Sequence, residues 1–225
     1  MTVFREPYRG RFLTLEGGEG TGKSTQINLL VEKLKMTGIS ALRTREPGGS
    51  EGAERIRALI LAAGQARMGA LTETLLFYAA RNDHLETLIR PALEKGQWVI
   101  CDRFSDSTRV YQGIMGTISA EILDRLEGLV VGPTAPELTL ILDLPVEIGL
   151  GRAVARRGSL PADGFESENI EFHQGLRQGF LKLAERDPDR CVVVDAQGSQ
   201  QEVADRIWAI VSDRFSSSLN ATSDG

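Results

Sequence analysis

Residues Gly17-Gly18-Glu19-Gly20-Thr21-Gly22-Lys23-Ser24 fit the pattern GxxxxGK[ST], and their reading decides the fold. In a chain of this length the pattern arises by chance on the order of once in a hundred, given ordinary glycine usage. The context sharpens it. An apolar run, Phe12-Leu13-Thr14-Leu15, leads into the glycines. Behind them Gln26 to Met36 shows helical periodicity, with Ile27, Leu30, Val31 and Leu34 on one face. A strand, a glycine loop and a helix N-terminus together make a phosphate cradle: the loop turns its N–H groups inward and the helix end adds partial positive charge. Gly17, Gly18, Glu19, Gly20, Thr21 and Gly22 would wrap the phosphates of ATP. Lys23 would bridge the β- and γ-phosphates, and the Ser24 hydroxyl would bind Mg²⁺, with Thr25 beside it. A plain glycine-rich turn does not explain a Lys-Ser pair at that spacing. The loop alone does not choose between kinase, GTPase and transport ATPase, but NKxD and LSGGQ are both absent, which leaves a small kinase.

Outward from the loop, apolar runs alternate with helix-period segments. Ile39 to Thr44, Trp98 to Cys101, Leu138 to Leu142 and Cys191 to Val194 read as four further strands. Helices are predicted over Glu51 to Ala63, Thr72 to Glu94, Ile118 to Val131, Pro145 to Arg157 and Glu166 to Arg186. Ser199-Gln200-Gln201-Glu202 is a capping box opening the last one. This alternation predicts an α/β fold of the P-loop NTPase kind, a five-stranded parallel sheet with helices on both faces. Residues 11–214 form one domain, after a flexible lead at 1–10 and before a disordered tail at 215–225. Arg156 to Glu166 (RRGSLPADGFE) is the least regular interior stretch and reads as a mobile lid, spanning about 152–167.

Composition narrows the function. The 225 residues carry 26 basic and 31 acidic side chains, a net charge of -5, which argues against a nucleic-acid binder. Of the basic residues 5 are Lys and 21 are Arg, suiting repeated phosphate contacts, although a GC-rich genome gives the same bias. Cys101 and Cys191 beside strands suggest reduced, buried thiols in a cytoplasmic protein, and two distant His residues without CxxC argue against structural zinc. The first ten residues, MTVFREPYRG, lack the apolar run expected of a signal peptide, and no apolar stretch reaches membrane-spanning length.

Five motifs in order carry a resemblance: the P-loop with acidic Glu19 inside it, Thr44-Arg45-Glu46-Pro47-Gly48-Gly49, Phe77-Tyr78-Ala79-Ala80-Arg81, Asp102-Arg103-Phe104, and Ser107-Thr108 followed by Tyr111-Gln112-Gly113. From about Arg11 to Val211 the chain resembles the thymidylate kinase family. The resemblance implies ATP-dependent phosphorylation of dTMP to dTDP in dTTP synthesis, with Mg²⁺, in a homodimer. The residue types suit that chemistry. The acceptor is already an anion, so catalysis calls for cations that bring two anions together, not for a strong base. Arg103, just past the third strand, is placed to hold the acceptor phosphate. Asp102 at the strand end would act on Mg²⁺ through water. The resemblance adds Arg45 and Arg57 near that phosphate, with Glu46 and Pro47 in the same dTMP-binding set. A solvated helix charge explains Arg57 nearly as well. It gives Phe77 as the ring stacked on thymine and Arg81 as a donor to the base. Without it they read as a core aromatic and a surface arginine sharing a helix face. Ser107, Thr108 and Gln112 offer contacts to the base edge, or serve as turn supports. Glu19 would accept from the sugar 3′-hydroxyl, and Tyr111 would crowd the 2′ position. Arg152, Ala196 and Gln197 match positions near adenine, and equally fit a surface charge and a strand-end turn.

In this family the transition-state arginine comes from the P-loop or from the lid. The P-loop position here is Gly20, and the lid has Asp163-Gly164-Phe165-Glu166, with Gly164 where arginine is expected. Arg156 or Arg157 is therefore predicted to act, with Arg157 favoured because it adjoins Gly158. Rival readings are a kinase for dUMP, dGMP or a nucleoside, the last needing Glu16 or Asp102 as base. Others are a P-loop module that binds ATP without turnover and a nucleic-acid-dependent ATPase.

Overall fold

The strand that leads into the glycine loop is apolar except at Thr14 and its last residue, and all five of its residues are buried. A strand like that must lie in the middle of a sheet covered on both faces. The computed structural model, which describes residues 10–62, 68–158 and 168–220, has it so. β1 (Phe12–Glu16) is the centre of a five-stranded parallel sheet of order β2-β3-β1-β4-β5. Its partners are β2 (Ala41–Arg45), β3 (Trp98–Asp102), β4 (Leu138–Asp143) and β5 (Cys191–Asp195). Leu15 is level with Asp102 of β3 and with Leu140 of β4. The chain therefore leaves β1 and β3 at the same edge, where the strand order reverses. That is the ligand crevice of an open α/β sheet.

Two apolar layers hold the sheet. On one face α1 (Lys23–Met36) and α9 (Gln200–Arg214) bury Ile27, Leu34, Val203 and Ile207 against Leu13, Leu15 and Leu140. On the other, Leu85, Ile89 and Leu93 cover Phe12, Val99 and Cys101, while Leu176 and Phe180 of α8 (Ile170–Arg186) cover Ile141. Both cysteines are buried and free, as expected. The capping box at Ser199 and Glu202 is complete in both directions. Among the described residues no helix is long and apolar enough to cross a membrane.

Several segments differ from the sequence expectation. The helix expected over Thr72 to Glu94 is α3 (Ala70–His84), a π-helical turn over Leu85–Ile89, and α4 (Arg90–Glu94). Pro91 has no N–H to give to the turn before it, and the helix widens there while Leu85 and Ile89 stay buried. The long helix expected from Glu166 starts at Ile170, because the Asn169 side chain accepts the Phe172 N–H at 2.9 Å and caps it. Pro145 is the N-cap of α7 (Val146–Arg157), not a residue inside it. The tail expected to be disordered begins with buried Phe215, whose ring meets Trp98 edge-on, and continues as α10 (Ser216–Asn220) with Leu219 against the core. The lead at 1–9, the last five positions and lid positions 159–167, including Asp163, Gly164, Phe165 and Glu166, lie outside the described residues. The remaining helices are α2 (Glu51–Ala62), α5 (Ser105–Thr108), which runs into a π-helical turn over Arg109–Ile114, and α6 (Ala120–Val130).

Candidate active site

A cavity of about 460 Å³ opens beyond the carboxyl ends of β1, β2 and β3. Glu19, Gly20, Gly22, Lys23, Ser24 and Thr25 form one wall. Arg45 at the end of β2, Glu46 and Pro47 after it, and Arg57 on α2 form the wall opposite. Phe77 and Arg81 from α3 stand at its depth with Asp102, Arg103, Ser107, Thr108, Tyr111 and Gln112. Every residue expected to bind the acceptor therefore reaches one space. Ile60 and Leu61 of α2 also line it, which the sequence reading did not anticipate. Gly17, Gly18 and Thr21 face a separate small cavity of about 20 Å³ behind the loop. Arg152 and the turn after β5 come together outside the large cavity, where Arg152 Nη1 donates to Ala196 O at 3.4 Å and Gln197 O accepts from Arg206 at 2.6 Å.

The P-loop is held from within. Lys23 Nζ donates to Gly18 O at 2.7 Å, Gly17 O at 3.1 Å and Thr21 Oγ1 at 3.4 Å. Burial, and then the nearby Arg103, push its pKa down to about 8. Gly20 has φ 67° and lies directly under α7: a Cβ there would collide with the Gly149 carbonyl oxygen. No side chain fits at this position of the loop while α7 keeps its seat. At the mouth of the loop Ser24 Oγ donates to Asp102 Oδ2 at 2.6 Å.

Arg103 is the hub of the acceptor side. It is the one non-glycine residue with positive φ (66°) among those described, a left-handed conformation that costs on the order of 1 kcal/mol or more. Its Nη2 donates to Glu19 Oε1 at 2.6 Å and its Nη1 to Gly17 O at 3.0 Å and Ser107 Oγ at 3.3 Å, while the guanidinium lies 5.4 Å from the Tyr111 ring centre. Burial works to raise the Glu19 pKa, but Arg103, Lys23 and Arg156 outweigh it and hold the carboxyl at about 2. Burial raises the Tyr111 phenol to about 12. Glu16, at the end of β1, holds the turn that carries Arg103: it accepts Phe104 N–H at 2.7 Å, Ser107 N–H at 3.2 Å and the Ser107 hydroxyl at 2.6 Å. Burial and then Asp106 raise its pKa to about 7, although Arg103 and these hydrogen bonds act against them. Its oxygens are taken up by that turn, which counts against Glu16 as the base a nucleoside acceptor would need.

Other expected contacts are engaged with the protein. Thr108 accepts Arg81 Nη2 at 3.0 Å, and Gln112 donates to Glu73 at 2.9 Å. Arg45 makes a forked pair with Glu54 at 2.8 and 2.9 Å, and Arg57 donates to Pro47 O at 2.8 Å. Of the two lid arginines, Arg156 is exposed and lines the cavity, while Arg157, the one favoured from sequence, is half-buried and outside its wall. The sequence expectation overlooked Glu73, Glu54, Gly149 and His84. Only His84 had a readable signal, its place three residues after Arg81 on α3.

A glycine-cradled lysine, an arginine hub and an aromatic-lined pocket sharing one crevice define a P-loop phosphotransferase of the nucleoside monophosphate kinase class. A family model for thymidylate kinase matches residues 15–207. A thymidylate kinase of Rhodopseudomonas palustris is 57% identical over 204 residues, covering 90% of this chain and 89% of that one. One of Bradyrhizobium diazoefficiens is 53% identical over 213 residues, covering 95% and 93%. The crystal structure of thymidylate kinase from Ehrlichia chaffeensis superposes with a TM-score of 0.74 at 31% identity, covering 90% of this chain and 98% of that chain. The chain belongs to the thymidylate kinase family.

Proposed function

We propose that this chain transfers the γ-phosphoryl group of ATP to dTMP, forming dTDP and ADP. The observation that carries the proposal is that Phe77, Arg81, Arg103 and Tyr111 line one cavity with the P-loop residue Lys23, and that Nη1 of buried Arg81 has no hydrogen-bond partner among the described residues. A buried donor without a partner costs about 1–3 kcal/mol, so a ligand acceptor at that point is favoured. Phe77 would stack on thymine and Arg81 would donate to it. Glu19 would receive the 3′-hydroxyl and Tyr111 would crowd a 2′-hydroxyl. Arg103, with Arg45 and Arg57, would hold the acceptor phosphate, and Lys23 and the loop N–H groups the donor phosphates. Arg156 would neutralise the transferring group. Arg152, Ala196 and Gln197 would flank adenine. Assayed with ATP against dTMP, dUMP, dGMP and thymidine, the protein should give the highest kcat/KM with dTMP and no product with thymidine. Preference for thymidine or dGMP would overturn the proposal.

Mg²⁺ fits the residues present. Ser24 and Asp102 already meet at the loop mouth, and among the described residues no group of three or more His, Cys, Asp or Glu forms a protein cage for a metal. One hydroxyl and one carboxylate, with phosphates and water completing the shell, is the sparse oxygen set that Mg²⁺ takes. Ser24 and Asp102 would hold it, and when bound it neutralises charge on the β- and γ-phosphates.

The protein acts in the cytoplasm, on nucleotides and not on nucleic acid, and works as a homodimer. Supporting the dimer, neighbouring helices α2, α3 and α6 leave Leu59, Leu71, Leu75, Ile122 and Leu129 exposed. Sedimentation equilibrium should give the mass of two chains for the wild type and of one for Leu75→Glu. An unchanged mass in the variant would exclude this face.

A further inference from the structure

A chain of polar side chains runs from the acceptor pocket into the core, where His84 is fully buried. Arg81 is 2% exposed and fixed on three sides. Its Nε donates to Glu46 Oε2 at 2.8 Å, its Nη2 donates to Thr108, and its guanidinium sits over the Tyr78 and Phe104 rings at 4.8 and 5.1 Å from their centres. Nη1 has no partner among the described residues. Glu46 is equally committed: its second oxygen, Oε1, lies 3.1 Å from Nδ1 of His84. His84 is fully buried, and its other nitrogen, Nε2, lies 2.7 Å from Thr44 Oγ1 on β2. An ionised carboxylate can only accept, so Nδ1 carries the proton that faces Glu46 and, in the neutral ring, Nε2 accepts from the Thr44 hydroxyl. The turn at Gly48-Gly49 closes over the pair: a Cβ on Gly49 would collide with His84 Nε2 and Thr44 Oγ1. The helix widens into its π turn immediately after His84.

We infer that His84 is a positioning residue for acceptor selection, acting through Glu46 to set the roll of the Arg81 guanidinium and so the direction of its unpartnered Nη1. The inference rests on the reading of the pocket as the dTMP site. A carboxylate held by a single partner can swing about its terminal torsion. Held by Nδ1 on one oxygen and Nε on the other it cannot, and Arg81 inherits that constraint. The two helix positions, three residues apart on α3, face the same carboxylate on the loop after β2, so the base-reading arginine is registered against the strand that also carries Arg45. Glu46, which also lines the cavity, acts in this arrangement through its pairing with Arg81.

The test separates this role from simple packing. His84→Leu should raise KM for dTMP about ten- to a hundredfold. In the same variant KM for ATP should stay within about twofold and kcat should change less than KM for dTMP. His84→Asn, whose amide nitrogen can take the place of Nδ1, should recover most of the loss, and His84→Gln, which supplies a group only towards Thr44, should not. Thr44→Val should shift KM for dTMP the same way by a smaller factor, and it covers the case in which His84→Leu fails to fold. Equal loss for ATP and dTMP, an Asn variant no better than Leu, or an unchanged KM for dTMP in both His84→Leu and Thr44→Val would overturn the inference. If the wild type itself does not use dTMP, the functional reading fails first, and the two failures are told apart.

Discussion

Arg103→Ala is expected to lower kcat/KM for dTMP about a thousandfold or more, the range seen when an arginine aimed at a transferring phosphate is lost. The effect should be this large because the residue does three things. It closes the loop through Gly17 O, holds Glu19 in its ionised form and presents a cation to the crevice. Lysine should not rescue it. A single ammonium cannot reach Gly17, Ser107 and Glu19 from the left-handed backbone of residue 103 in the way the planar fork does. Steady-state kinetics of dTDP formation with both variants checks this. A loss below about tenfold for Arg103→Ala would remove the arginine from the reacting centre.

Arg156→Ala should lower kcat about a hundredfold or more, while Arg157→Ala stays within about threefold of wild type. With α7 seated on the loop, a side chain at position 20 would strike the Gly149 carbonyl, so the cation for the transition state must arrive from elsewhere. Position 156 is seven residues beyond 149, two helical turns, and so lies on the same face of α7 as the contact with the loop. Position 157 is turned about 100° away from it. Arg156 lines the cavity and its charge reaches Glu19. Gly149→Ala offers an independent handle: its Cβ would lie 2.5 Å from Glu19 O, lifting α7 off the loop, and kcat should fall with Arg156 still present. Single-turnover rates for the three variants settle the assignment, and a large loss confined to Arg157→Ala would reverse it.

Much of the fold was legible because the signals are local. The glycine spacing, the apolar run before it and the alternation of strand and helix each depend on a few adjacent residues. The residues that the resemblance assigns to the acceptor all line the one cavity. What escaped the sequence was direction. Whether Arg156 or Arg157 faces the crevice depends on the phase of α7, set by a glycine contact between segments more than a hundred residues apart. Thr108, read as a base contact, accepts from Arg81, and Glu46 is spent on Arg81 and His84. A hydroxyl or carboxylate finds whichever buried donor the tertiary structure places beside it, and the sequence carries no mark of that partner. The π turn after His84 escaped for a different reason: periodicity over Thr72 to Glu94 is continuous, and Pro91 shows where a helix is disturbed, not how it recovers.

The central claim is that the loop from Gly17 to Ser24 and the pocket beneath Arg81 hold donor and acceptor of one phosphoryl transfer. The direct measurement is product analysis of the protein with ATP, dTMP and Mg²⁺, beside Lys23→Ala under the same conditions. Equal amounts of dTDP and ADP from the wild type, and neither from the variant, are predicted. ADP released without dTDP, or dTDP formed equally well by Lys23→Ala, would contradict it.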